Sequence, residues 1–208
     1  QNLKKEFKNE LENIVVRNTF YNQIKYKEKS NNYEVRAVSP GHKEAEMTIM
    51  MNGRYISEKD IADKTKHVVI GRLVKEDLFG KEDAIGKYIF GSGHSWRVVG
   101  IFQDEGGDRE ERKIYVPYTT MQAIQKNTDN IDQMIVIYDP KMTYNQSVIL
   151  EKKLEIFIKK TKIISPNDNR GIYISNTGEE LEKSQKFSSI LHIIILFIGI
   201  GTLIAGVI

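Results

Sequence analysis

The sequence predicts an α+β protein whose polar body of short strands and helices runs into one long apolar helix. Three observations carry this. All 59 charged residues lie at or before Lys186, so the first 186 residues are about 32% charged and the last 22 carry no formal charge. Apolar residues repeat at helical spacing near both ends of the body. Between them, strand-like alternation is punctuated by Gly and Pro.

The elements follow in order. Over 2–13, Leu3, Phe7, Leu11 and Ile14 fall on one helical stripe with Lys and Glu elsewhere. Ile24 and Tyr26 alternate with lysines, then Tyr33, Val35 and Ala37 alternate with Glu34, Arg36 and Val38. The break at 29–32 reads as their hairpin turn, and Pro40-Gly41 ends the second strand. A short helix over about 42–51 would stack Met47, Met50 and Met51 inward.

A second block begins with the strand His67–Ile70 and a helix from Arg72 to Phe79, ended by Gly80. Ile85-Gly86-Lys87 turns into the strand Tyr88–Phe90, Gly91–His94 is a hairpin loop, and Trp96–Phe102 returns. The strand Ile114–Pro117 and a helix over 118–125 complete it. A third block reads as βαβ, with a strand over 134–138, a helix over 144–161 and a strand over 171–175. From Gly178 an amphipathic stretch continues into the apolar tail without a breaker.

The tail Ile190–Ile208 has 19 residues, interrupted in its apolarity only by His192 and Thr202. As a helix it spans about 28 Å, close to the roughly 30 Å of a bilayer's hydrocarbon. No face carries a polar stripe, so a transmembrane helix is expected rather than a core helix. Gly199, Gly201 and Ala205 give it a small-residue face suited to close helix packing. Gln1 at one end and Ile208, without a polar flank, at the other suggest cuts within a longer polypeptide.

Composition excludes several chemistries. There is no cysteine, hence no disulfide, thiolate metal site or cysteine nucleophile. The net charge of +3 on 59 charges gives no strong field for nucleic acid. Gly91-Ser92-Gly93 lacks the third glycine and following helix of a dinucleotide loop. Five carboxylates in 104–111 fit no EF-hand spacing and read as a solvated loop. His42, His67, His94 and His192 show no metal-ligand spacing, and the lysines at 152, 153, 159, 160 and 162 read as a solvated helix face. No nucleophile–base pair stands out. The residues alone describe a non-catalytic domain outside a membrane, with no cofactor or metal site.

One ordered series narrows this. Gly53-Arg54-Tyr55-Ile56-Ser57, Val68–Gly71, Leu78-Phe79-Gly80, Ile85-Gly86-Lys87, Trp96–Ile101 and Ile114–Met121 together resemble the periplasmic core domain of MacB-like ABC transporter permeases. Phe197–Ile208 resembles the start of their FtsX-like membrane module. The motif residues Gly53, Arg54, Gly80, Ile85, Gly86, Gly100 and Pro117 would then be structural: glycines for tight turns or close approach, and Pro117 ending an edge strand.

The resemblance implies a stalk helix over 1–13 and a porter-like subdomain of two βαβ-type halves over 14–62 and 126–177. A mainly β subdomain would be inserted over 63–125, followed by a second stalk over 178–189 and a membrane helix over 190–208. It also implies a homodimer in the inner membrane, with this part on the periplasmic side. The dimer would pair with a cytoplasmic ABC ATPase holding ATP and magnesium, and with a periplasmic adaptor or outer-membrane conduit. The implied work is mechanotransmission for efflux. Related layouts serve as couplers of cell-wall hydrolases or as lipoprotein-release permeases; a sensor ectodomain on one helix is the reading from a different class.

Overall fold

The computed structural model describes residues 2–125, 130–168 and 170–207. In chain order the elements are α1 (Asn2–Glu6), β1 (Leu11–Tyr26), β2 (Lys29–Val38), α2 (His42–Ala45), β3 (Ile49–Gly53), α3 (Glu58–Ala62), β4 (His67–Gly71) and α4 (Arg72–Phe79). There follow β5 (Tyr88–Gly91), β6 (His94–Gln103), a 3-10 turn (Glu110–Arg112), β7 (Lys113–Pro117), α5 (Tyr118–Ile124), β8 (Gln133–Tyr138), α6 (Tyr144–Thr161) and α7 (Gly178–Val207). The fold is mixed α+β, in two compact units: residues 11–137, and residues 1–10 with 138–208.

In the first unit the sheet closes on itself. β2 lies parallel to β7, β7 antiparallel to β4, β4 parallel to β6, and β6 antiparallel to β5. β5 then meets β1 at Lys25↔Phe90, and β1 returns to β2 through ten antiparallel pairs from Arg17↔Val38 to Tyr26↔Lys29. β3 adds to β6, and β8 lies beside β1. Alternation directs Ile24, Val35, Val68, Ile70, Ile89, Trp96, Ile114 and Val116 into one core, which also takes Val74, Leu78 and Phe79 of α4 and Met121 of α5. The space left between the strands is about 10 Å³, room for no more than a single water. The barrel is a solid body and not a chamber.

A second apolar layer covers the other face of β2, β7, β4 and β6. It comprises Val38, Val69, Phe102 and Tyr115 with Tyr55 and Ile56 from the segment after β3. Burial on both faces explains why all five residues of β7 are buried.

The second unit is helical. Thr143 and Gln146 form a capping box that starts α6. Ser147, Leu150 and Leu154 make its buried stripe, and Phe157 meets Phe7 edge-on with ring centroids 5.6 Å apart. Lys153 reaches Glu10 at 2.6 Å. α7 continues for 30 residues without a break.

Several expectations need correction. The helix over 2–13 stops at Glu6 and the chain is already in β1 at Leu11. The first hairpin turns at Lys27-Glu28, with Lys27 at φ 52°, so residues 29–32 belong to β2. The helix over 42–51 is four residues long. Met50 and Met51 stand in β3, and Met47 and Met51 point outward, 83% and 51% exposed. Residues 171–175 form no strand, so the expected βαβ of the third block is a strand, a helix and an irregular return. The compact units also follow other lines than the subdomains expected at 14–62 and 63–125, because the β1–β2 hairpin closes the same barrel that holds β4 to β7.

Candidate functional site

The segment joining β3 to β4 carries the Gly53–Ser57 motif and is organised around Asp60, which is 1% exposed. Arg54 approaches it with two nitrogens, Nη1 to Oδ2 at 2.5 Å and Nη2 to Oδ1 at 3.1 Å. The Ser57 backbone N–H and hydroxyl donate to Oδ2 at 2.9 and 2.7 Å. The Thr65 hydroxyl donates to Oδ1 at 2.8 Å, and His67 Nδ1 stands 2.7 Å from the same oxygen. Ser57 in turn accepts from the Asp60 N–H, completing the capping box that starts α3. Burial alone would raise the pKa of this carboxyl. The donors of Arg54, Ser57 and His67 outweigh burial and hold it far below the usual carboxylate range. One carboxylate thus fixes Arg54, the entry to α3 and the start of β4.

The glycines on either side of this loop meet. Gly53 pairs with Gly100 across the β3–β6 ladder. Gly53 has φ +74°, and a Cβ there would stand 2.2 Å from the Val99 carbonyl oxygen; a Cβ on Gly100 would stand 2.2 Å from the Arg54 carbonyl oxygen. Neither position has room for a side chain. Replacing Gly100 by alanine is expected to cost about 2–3 kcal/mol, since backbone must move. Gly93→Ala, at φ +74° with nothing within 4 Å, should cost roughly 1 kcal/mol from backbone conformation alone. Urea midpoints of the two variants check the difference.

The remaining motif positions are structural joints. Gly80 follows α4, and its carbonyl accepts Lys75 Nζ at 2.6 Å. Ile85 packs against the barrel core, and the Gly86 N–H donates to Val98 at 2.8 Å. Pro117 ends β7 and precedes α5, paired with Val38. β7 is an interior strand, so the expected edge position for Pro117 is incorrect. Proline is accommodated because it stands at the strand's last residue.

Sequence reasoning missed a buried ionic layer. Glu34 and Arg36 of β2, Lys113 of β7, Arg17 of β1, Glu46 after α2 and Glu110 converge there. Arg36 Nε is 2.7 Å from Glu34, Arg17 Nη1 is 2.8 Å from Glu46, and Lys113, 2% exposed, pairs with Glu110. The carboxylate-rich loop expected to be solvated therefore ends inside the fold: Glu111 is 6% exposed and bridges Arg72 at 2.5 Å. His42 is fully buried beside this layer, its Nδ1 2.9 Å from the Tyr55 hydroxyl and its ring 5.0 Å from that of Tyr115. Burial, then the positive charges of Arg17, Arg36 and Lys113, push its pKa down to about 3. The signal available in the sequence was the run Ile114-Tyr115-Val116, which does not alternate.

Among the described residues, no cluster of three or more His, Asp or Glu side chains is placed to hold a metal. Within α7, Glu182–Ile200 is long and apolar enough to cross a membrane, and none of it is buried. A Cβ on Gly199 would meet nothing within 4 Å. The side chains at Gly201 and Ala205 lie outside the described residues.

The barrel is filled, the loop after β3 is locked on a carboxylate, and α7 ends in an apolar span. The family model that matches is the MacB-like periplasmic core domain, over residues 2–148. The chain belongs to that family. It is 36% identical over 72 residues to the macrolide export ATP-binding/permease protein MacB of Wolinella succinogenes, covering 33% of this chain and 11% of that one. It is 31% identical over 88 residues to the pyoverdine export ATP-binding/permease protein PvdT of Pseudomonas aeruginosa, covering 40% and 13%. The matched stretch thus spans little more than a tenth of these relatives. The crystal structure of the periplasmic region of MacB from Actinobacillus actinomycetemcomitans superposes with a TM-score of 0.66 at 19% identity, covering 77% of this chain and 71% of that one. At that identity the likeness establishes the fold.

Proposed function

We propose that this chain is the extracytoplasmic part of an ABC export permease that passes ATP-driven motion across the inner membrane. The observation that carries the reading is α7: its charged first turns and its apolar span form one helix of 30 residues, about 45 Å long. A single helix transmits displacement because bending it in the middle breaks backbone hydrogen bonds. The solid barrel supports the same reading, since it can move as a body and offers no chamber for cargo. The lock on Asp60 and the glycine crossing at 53 and 100 keep that body rigid, and the small residues of α7 give it a face for a neighbouring membrane helix.

On this reading the permease is a homodimer served by an ATPase that binds ATP and magnesium in the cytoplasm. The periplasmic body meets an adaptor or an outer-membrane conduit. Export is favoured over regulation of a cell-wall hydrolase or release of lipoproteins because the relatives matched by sequence bear export names.

The test is a break in the lever. Ser184→Pro removes one helical hydrogen bond and costs about 3 kcal/mol in a helix interior. In the full-length permease this change should reduce export at least tenfold while ATP hydrolysis continues. Undiminished export would overturn the lever reading.

A further inference from the structure

The structure assigns the outward face of α6 to contact with an anionic lipid surface. This helix has two faces of unlike chemistry. Its inward stripe of Ser147, Leu150 and Leu154 is buried. On the opposite side Ile149 and Ile156 stand seven residues apart, 56% and 68% exposed, and Ile163, 94% exposed, lies in the turn that follows the helix with φ 56°. Lys152, Lys153 and Lys160 lie between them, so isoleucines and lysines share about 100° of arc. Isolated exposed isoleucines are ordinary. Two in register, interleaved with lysines and followed by Ile163 in the turn after the helix, match a helix lying at a headgroup boundary.

The charges select the occupant. The helix's two carboxylates are on the flank and already engaged: Glu151 accepts from Asn176 at 3.2 Å, and Glu155 pairs with Lys159 at 2.7 Å. Lys153 pairs with Glu10, whereas Lys152 and Lys160 have no ion pair among the described residues. The outward face is therefore cationic and apolar together. A second copy of the same face would bring lysine against lysine, which disfavours self-association through it. An anionic bilayer satisfies both components, the headgroups taking the ammonium groups and the boundary region the isoleucines.

The start of α7 is tied to this helix: Asn176, just before α7, is hydrogen-bonded to Ser147 and Glu151 in the first half of α6.

This inference rests on the membrane reading of α7, and the experiment separates the two. The chain contains no cysteine, so a single engineered one can be labelled cleanly. Ile156→Cys, Phe197→Cys and Met47→Cys, all at exposed positions, would each carry an environment-sensitive fluorophore. The labelled 208-residue chain would be placed in vesicles of phosphatidylcholine, or of equal parts phosphatidylcholine and phosphatidylglycerol, doped with nitroxide lipid. The label at 197 should be quenched in both. The label at 156 should be quenched only with phosphatidylglycerol. Raising salt to about 0.5 M, or adding Lys152→Glu with Lys160→Glu, should reduce that quenching about tenfold. The label at 47 should stay unquenched. Quenching at 197 with none at 156, or equal quenching at 156 in both vesicles, overturns the lipid contact alone. Equal quenching at 47 and 156 also overturns it, as indiscriminate adsorption. Disulfide cross-linking of two copies through position 156 overturns it in favour of self-association. No quenching at 197 overturns the membrane reading as well.

Discussion

Asp60→Ala is expected to destabilise the chain by about 3–5 kcal/mol, a large share of a domain's total stability. The carboxylate is 1% exposed and accepts from Arg54, from both donors of Ser57 and from Thr65, with His67 at 2.7 Å. Removing it strands the Ser57 N–H and the Thr65 hydroxyl without acceptors, at about 1–3 kcal/mol for each group that stays buried. Arg54 is half exposed and can turn to water, so its share of the loss is small. Asp60→Asn keeps the shape and one carbonyl acceptor but sets an amide against donors, and should fall between the two. Denaturant unfolding of the chain in detergent measures all three. A loss below about 1 kcal/mol for Asp60→Ala would show that the loop from Gly53 to His67 holds its shape without the carboxylate. Because Arg54 leads directly into Tyr55 and Ile56 of the second apolar layer, loosening here should also raise amide exchange along β3.

Why some of this was legible in the sequence and some not can be traced to particular residues. The long C-terminal helix was plain, since charge ends at Lys186 and nothing breaks the helix after Gly178. The strand pair Tyr88–Gly91 and His94–Gln103 was equally plain from its Ser-Gly turn. The start of β1 was misread because Leu3, Phe7 and Leu11 are successively four apart. That spacing suits a helical stripe and also every second position of a strand. Barrel closure could not be read at all. It depends on Lys25 meeting Phe90 and on Val35 meeting Ile114, pairings between segments whose local patterns only say strand. The ionic layer was hidden for a related reason. Arg36 and Lys113 look like solvent-facing residues in alternating strands, and only the second layer over that face buries them. Asp60 was hidden in a sequence rich in acids. Its one local signal was Ser57 three residues earlier, the spacing of a capping box.

His42 should make the chain acid-labile at a pH where its carboxylates are still ionised. In the unfolded chain this histidine titrates near 6.5, whereas in the folded one burial and three nearby cations push it down to about 3. Between those values the unfolded state binds the extra proton, so stability is intact above 6.5 and falls as pH drops. The loss is about 2 kcal/mol from pH 7 to 5 and reaches roughly 4 kcal/mol by pH 3. Asp60 acts with the opposite assignment of states: its depressed pKa adds stability that is present above the ordinary carboxylate range and is lost only below it. The interval from pH 7 to 5 therefore separates His42 from Asp60. Its surroundings deepen the effect, since Arg17, Arg36 and Lys113 already balance Glu34, Glu46 and Glu110, and a new imidazolium would find no spare carboxylate. The first structure to yield should be α2 itself. It has four residues and no side-chain cap, and opening it hydrates His42 without dissolving the barrel. Amide exchange at Ala45, Glu46 and Thr48 should rise between pH 7 and 5 while that of β4 and β7 holds. His42→Gln cannot titrate and should flatten the stability profile across this interval. A profile as steep as that of the parent chain would place the acid-sensitive group elsewhere.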